Sequence, residues 1–176
     1  MTIPCLSLGG KIAIVSGSRR GIGKAIALLY AQAGADVAVC DYVDGKELKD
    51  TADEIKGLGR RALPIQVDVS KKESVSNLIQ KVETELGAID ILANAAAVLR
   101  LSPSIEYSEE DWDLVIDTNL KGTFLMNQTV AREMVKRKKG CIINIASTDA
   151  FNPIPNQVAY NCSKVGVCHM TNTLAF

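Results

Sequence analysis

From Lys11 onward, short β-branched apolar runs alternate with segments of helical periodicity, and glycines mark the junctions. Lys11-Ile12-Ala13-Ile14-Val15-Ser16 stops at Gly17, and from Gly21 the apolar positions Ile22, Ala25, Ile26, Leu29 and Ala33 recur at helical spacing until Gly34. The pattern then repeats, with strands expected over 36–41, 62–67 and 89–93 and helices over 45–58 and 71–86, closed by Gly59 and Gly87. Near-continuously apolar strands such as Val37-Ala38-Val39-Cys40 suit a parallel sheet covered by helices on both faces. Right-handed crossovers then predict an α/β fold with a doubly wound parallel sheet.

Farther along, Ser108-Glu109-Glu110-Asp111 has the form of an N-cap with acidic first-turn residues. It predicts one long helix through Trp112, Val115, Leu120, Phe124 and Val130, ending in basic residues before Gly140. An apolar strand follows over 141–146, then a proline-containing loop, Asn152-Pro153-Ile154-Pro155-Asn156, and a last helix from about Gln157. This helix reaches Phe176 with neither a glycine cap nor a basic last turn, so a C-terminally truncated chain is expected. No linker or low-complexity stretch divides residues 1–176, which read as a single domain, incomplete at its C-terminus.

Composition narrows the function classes. With 47% apolar and 23% charged residues, 176 positions are enough for a real core, and disorder is excluded. Twenty Lys and Arg balance twenty Asp and Glu, so no overall field favours nucleic acid or an acidic membrane as partner. The basic run Lys136-Arg137-Lys138-Lys139 falls where cations complement a helix dipole. The absence of a long apolar stretch or leader pattern points to a cytoplasmic protein. Cys5, Cys40, Cys141, Cys162 and Cys168 are scattered without a CxxC pair and read as reduced, mostly packing thiols. A single histidine, His169, gives no basis for a metal site.

The first glycine loop carries the cofactor signal. Ser16-Gly17-Ser18-Arg19-Arg20-Gly21-Ile22-Gly23 places three glycines where a strand must turn, let its backbone approach a pyrophosphate, and enter a helix whose N-terminal amides face the anion. Gly23-Lys24 is followed by Ala25, so the hydroxyl of a Walker loop is missing. Asp41 ends the second strand 18 positions after Gly23, where an acidic residue can bind the adenosine ribose hydroxyls. A 2′-phosphate there would meet a like charge at a cost on the order of 4 kcal/mol at ~4 Å and an effective dielectric of ~20. NAD is therefore the expected cofactor, while Arg19 and Arg20, either of which can reach a 2′-phosphate, keep NADP as the alternative. Asp68 and Val69 end the third strand, Asp68 facing the adenine edge or capping the helix that begins near Lys71.

Tyr160 and Lys164 stand at i and i+4, one helix face that brings an ammonium to a phenol. A neighbouring cation favours phenolate and moves tyrosine toward acid/base chemistry. Ser147 lies 13 positions earlier at the carboxyl end of a strand, where doubly wound folds place ligands, and serves either as a turn residue or as a hydroxyl that holds a carbonyl oxygen.

Ser16 to Gly23, Asn94-Ala95, Asn119, Ser147 and Tyr160 with Lys164 together resemble the short-chain dehydrogenase/reductase family, in order and each on the expected element, from about Leu8 onward. The resemblance implies a Rossmann-like fold, here lacking the family's last strands and substrate lid. It also implies an NAD(P)-dependent oxidoreductase that interconverts a secondary alcohol with a ketone or aldehyde. Tyr160 is then the general acid/base, Ser147 orients the substrate oxygen, Lys164 acts on Tyr160 and holds the nicotinamide ribose, and Asn119 holds a water in a relay toward Lys164. Asn94, Ala95 and Ala96 would border the cofactor. The family's Asn-Asn-Ala-Gly reads Ala93-Asn94-Ala95-Ala96, which adds a methyl group on the expected cofactor path, and Ser16 replaces the usual threonine. A homodimer or homotetramer of the complete protein is also implied. The rival reading is a catalytically silent, truncated protein that binds dinucleotide or a homologous subunit. The substrate class beyond alcohol or carbonyl is open.

Overall fold

The computed structural model describes residues 6–175. Five strands, β1 (Ile12–Ser16), β2 (Asp36–Asp41), β3 (Ala62–Gln66), β4 (Ile91–Asn94) and β5 (Cys141–Asn144), form one sheet in the order β3-β2-β1-β4-β5. Every neighbouring pair is parallel, with Ile12 opposite Asp36, Ala13 opposite Ile91, and Ile91 opposite Cys141. After β3 the chain returns across β1 to lay β4 on its other side. A switch point therefore opens between the carboxyl ends of β1 and β4, the position where ligands bind in open α/β sheets.

The helices are α1 (Gly21–Gln32), α2 (Lys46–Gly57), α3 (Lys72–Glu85), α4 (Glu109–Ile116), α5 (Gly122–Arg137) and α6 (Val158–Leu174). Alternate strand residues divide between two cores. Val15, Val37, Val39 and Ala93 pack with Ala27 and Ala31 of α1 and Leu48, Ala52 and Ile55 of α2. Ile12, Ile14, Ala38, Cys40 and Leu92 face the other way, against Val75, Leu78 and Val82 of α3 and Met126, Val130 and Met134 of α5. The doubly wound, Rossmann-like architecture expected from the βα alternation is the one observed.

Two local expectations change. Ser108 does cap a helix, its Oγ accepting from Asp111 N–H at 3.1 Å, but the helix is not continuous to Gly140. Residues Asp117–Lys121 form one π-helical turn between α4 and α5. Such turns are rare and concentrate at functional sites; here the turn carries the buried Asn119. The cysteines also differ from the expectation of mostly packing thiols. Cys40 is buried, Cys168 is half-buried, and Cys141 and Cys162 are exposed, because β5 borders the sheet and Cys162 lies on the outer face of α6. Cys5 lies outside the described residues.

Candidate functional site

A cleft of about 860 Å³ lies over the β1–β4 switch point and gathers residues far apart in sequence. Gly17, Arg19, Arg20, Gly21, Ile22 and Gly23 form one wall, Asp41 and Asp68–Val69 the far end, and Ala95 and Ala96 the side toward β4. Gly17 has a φ of +66°, and a Cβ there would stand 2.7 Å from the Ala96 backbone. A Cβ on Gly23 would run into the Gly17 carbonyl oxygen. These two glycines let the loop fold tightly onto itself and onto the chain after β4. No side chain caps the N-terminus of α1, so its first amides and positive dipole end suit an anion such as a pyrophosphate. The cradle fits a dinucleotide.

Several expected residues have defined local duties. Ser18 is fully buried and turned away from the cleft, its Oγ accepting from Cys40 N–H at 2.9 Å and tying the loop to β2. Asp68 does not cap α3: its Oδ1 accepts from Ser70 N–H and Ser70 Oγ–H at 3.0 and 2.6 Å, while Ser74 Oγ accepts from Asp68 N–H. Asp41 and Arg19, read from sequence as arguments for opposite cofactors, are partners, with Asp41 Oδ1 3.5 Å from Arg19 Nε. The other side of the Arg19 guanidinium donates to Glu47. Arg20 is exposed at the rim.

Asn94 points into the protein. Its Nδ2 donates to Asn127 Oδ1 at 2.7 Å and to Asn144 Oδ1 at 2.8 Å, and Asn144 Nδ2 donates to Thr171 Oγ1 at 2.9 Å. This amide layer joins β4, β5, α5 and α6. Ser16 keeps the hydroxyl of the usual threonine, and its Oγ accepts from both Ala95 and Ala96 N–H, at 3.1 and 3.2 Å. The Ala96 methyl is thus accommodated in a loop whose backbone is held from β1.

Lys164 is buried, and its Nζ donates to Ile145 O at 2.7 Å while standing 5.5 Å from the Tyr160 ring centroid. Burial pushes the Lys164 ammonium below its ordinary pKa of 10.5. Ser147 begins a 3-10 turn, Thr148–Ala150, its Oγ accepting from Asp149 N–H at 3.2 Å. Asn119 is tied by its side chain to the backbone of Val98 and to Ser163 Oγ, and Ser163 Oγ–H donates to Tyr160 O at 2.7 Å. Asn119 therefore joins the π turn, the loop after β4, and the tyrosine helix. Ser163 and Glu47 escaped the sequence reading; for Ser163 the signal was its place three residues after Tyr160 on the same helix.

A doubly wound α/β domain with a glycine-lined cleft at its switch point and a buried lysine beside a tyrosine is the class of protein that fold and site define. The chain belongs to the short-chain dehydrogenase family, whose sequence model matches residues 11–176. It is 37% identical over 170 residues to the 3-oxoacyl-[acyl-carrier-protein] reductase FabG of Thermotoga maritima, covering 97% of this chain and 69% of that protein. It is 39% identical over 165 residues to an NAD-dependent glycerol dehydrogenase of Listeria innocua, covering 94% of this chain and 63% of the relative. The crystal structure of a short-chain type dehydrogenase/reductase from Mycobacterium marinum superposes with a TM-score of 0.91 at 38% identity, covering 97% of this chain and 68% of that one. A short chain dehydrogenase of Pseudocercospora fijiensis is 39% identical over 170 residues, and the chain spans 55% of its length. Among the described residues no helix is long and apolar enough to cross a membrane.

Proposed function

We propose that the protein is an NAD-dependent oxidoreductase that interconverts a secondary alcohol with its ketone, or a primary alcohol with its aldehyde. The observation that carries this reading is Lys164, buried on the same helix face as Tyr160 and held by Ile145 O. The nicotinamide, when bound, supplies or takes up the hydride. The residues of the chain do the rest. Tyr160 gives the proton to the substrate oxygen in reduction and takes it in oxidation, with the Lys164 ammonium supplying positive charge beside it. Ser147 Oγ accepts from Asp149 N–H, which leaves its hydroxyl proton free to donate to the substrate oxygen, where charge develops. Asn119 holds the Tyr160 helix through Ser163 and supports a water relay toward Lys164. Asn94 supports the Ala95–Ala96 strip from below.

Asp41 at the adenosine end favours NAD, and the NAD dependence of the Listeria glycerol dehydrogenase supports the same assignment. Trp112, Phe124 and Val165 on α4, α5 and α6 are each about 40% exposed, an apolar surface that supports association of two or four copies. Steady-state NADH oxidation with a panel of ketones and aldehydes tests the reaction. Turnover lost in Tyr160→Phe with NADH binding kept is the expected result; unchanged turnover in that variant removes Tyr160 from the mechanism. A second reading, dinucleotide binding without turnover, rests on the glycine cradle and the uncapped N-terminus of α1 alone. NADH binding with no carbonyl-dependent oxidation is its signature.

A further inference from the structure

Arg19 lies between two carboxylates that reach it from different elements. Asp41, at the end of β2, approaches Nε at 3.5 Å, and Glu47, in the first turn of α2, accepts from Nη1. The arrangement is held from below by Thr51, whose buried hydroxyl lies 3.3 Å from Arg19 O and 3.0 Å from Glu47 O. Arg19 is 19% exposed and Asp41 15%, so the pair is partly shielded, whereas Glu47 is open to solvent at 59%. Two carboxylates share one guanidinium, and Nη1, one arm of the planar fork that would bind a phosphate, is taken by Glu47.

We infer that Glu47 sets the choice between the two nicotinamide dinucleotides, by holding Arg19 away from the adenosine 2′ position. The inference rests on the dinucleotide reading of the cleft. Glu47 does not line the cleft and acts only through Arg19, which makes it a positioning residue. Asp41 has two roles, as ribose acceptor and as partner of Arg19, so its removal changes both together. Removing the Glu47 charge isolates one. With Glu47 neutral, the guanidinium keeps a single carboxylate and its Nη groups become available to a 2′-phosphate, which carries up to two negative charges. Arg20 contributes equally before and after the change.

Titration calorimetry of the 176-residue chain with 5′-AMP and with adenosine 2′,5′-bisphosphate reads the choice without turnover. Wild type is expected to bind 5′-AMP more tightly. Glu47→Gln should leave 5′-AMP affinity within about twofold and tighten the bisphosphate about tenfold, a change well above the resolution of the measurement. The double variant Arg19→Leu with Glu47→Gln should lose that gain, because the effect runs through Arg19. An unmoved ratio in Glu47→Gln, or a gain that survives without Arg19, overturns the inference while 5′-AMP binding keeps the dinucleotide reading. Failure of wild type to bind either nucleotide overturns both.

Discussion

Asn119 closes a two-way hydrogen bond with the backbone of Val98: its Oδ1 accepts from Val98 N–H at 2.8 Å and its Nδ2 donates to Val98 O at 2.9 Å. The side chain so mimics a strand neighbour for a segment that has none, and the π turn is the backbone geometry that aims it there. Replacing Asn119 with leucine leaves both Val98 groups without that partner. A loss of about 1–3 kcal/mol is expected from the unpaired groups, read as a lower urea midpoint at unchanged slope. Stability within about 0.5 kcal/mol of wild type would show that the contact with Val98 contributes little.

The amide layer around Asn94 makes a second, asymmetric prediction. Asn94 Nδ2 serves two acceptors, Asn127 Oδ1 and Asn144 Oδ1, whereas Asn127 Nδ2 and Asn94 Oδ1 have no partner among the described residues. Asn94→Leu removes the shared donor and strands two acceptors, so about 1–3 kcal/mol is expected for each buried group left unpaired. Asn127→Leu removes one acceptor together with an already unpaired donor, and Asn94 keeps Asn144. The first variant should therefore be the less stable of the two in parallel urea titrations. The reverse order would mean that the layer is not organised around Asn94.

What the sequence made legible was local or periodic. The strand–helix alternation, the glycine turn and the Ser108 cap depend on neighbours a few positions away, and each is found where the residues put it. What it hid depends on contacts across the fold. The π turn carries Asn119 to Val98, 21 positions back, and no pattern within 109–137 separates it from continuous helix. Asp68 sits near enough to α3 to look like a cap, yet Ser70 and Ser74 take its hydrogen bonds first. Arg19 and Asp41 are 22 positions apart, and Glu47 is 28 from Arg19; read one at a time they argue for different cofactors, and only the packing of α2 against the glycine loop makes them a unit.

Ser16 gives a prediction that separates a hydroxyl from a methyl. Its Oγ receives Ala95 and Ala96 N–H at the point where the loop after β4 borders the cleft. Ser16→Ala leaves two part-buried amides without their acceptor, with an expected destabilisation of about 1–3 kcal/mol. The same variant should weaken NADH binding, because the Ala95–Ala96 backbone then loses its fixed distance from Gly17. Fluorescence titration with NADH checks this. Unchanged affinity in a stably folded variant would show that β1 does not position the loop.

Lys164 links the site to pH through its burial. Its pKa is pushed below 10.5 by desolvation, so in the interval between the lowered folded value and 10.5 the unfolded chain holds a proton that the folded chain has released. Stability contributed by this group therefore rises with pH across that interval. At lower pH both states are protonated and the full penalty of a buried ammonium is present; above 10.5 both are neutral and it is gone. Lys164→Met keeps the length of the side chain but cannot titrate. Urea unfolding of wild type and Lys164→Met at a series of alkaline pH values should show the difference moving in favour of wild type as pH rises. A difference that stays constant would mean that the folded pKa is not lowered, and that Ile145 O and the water around Nζ solvate the ammonium as well as bulk solvent does.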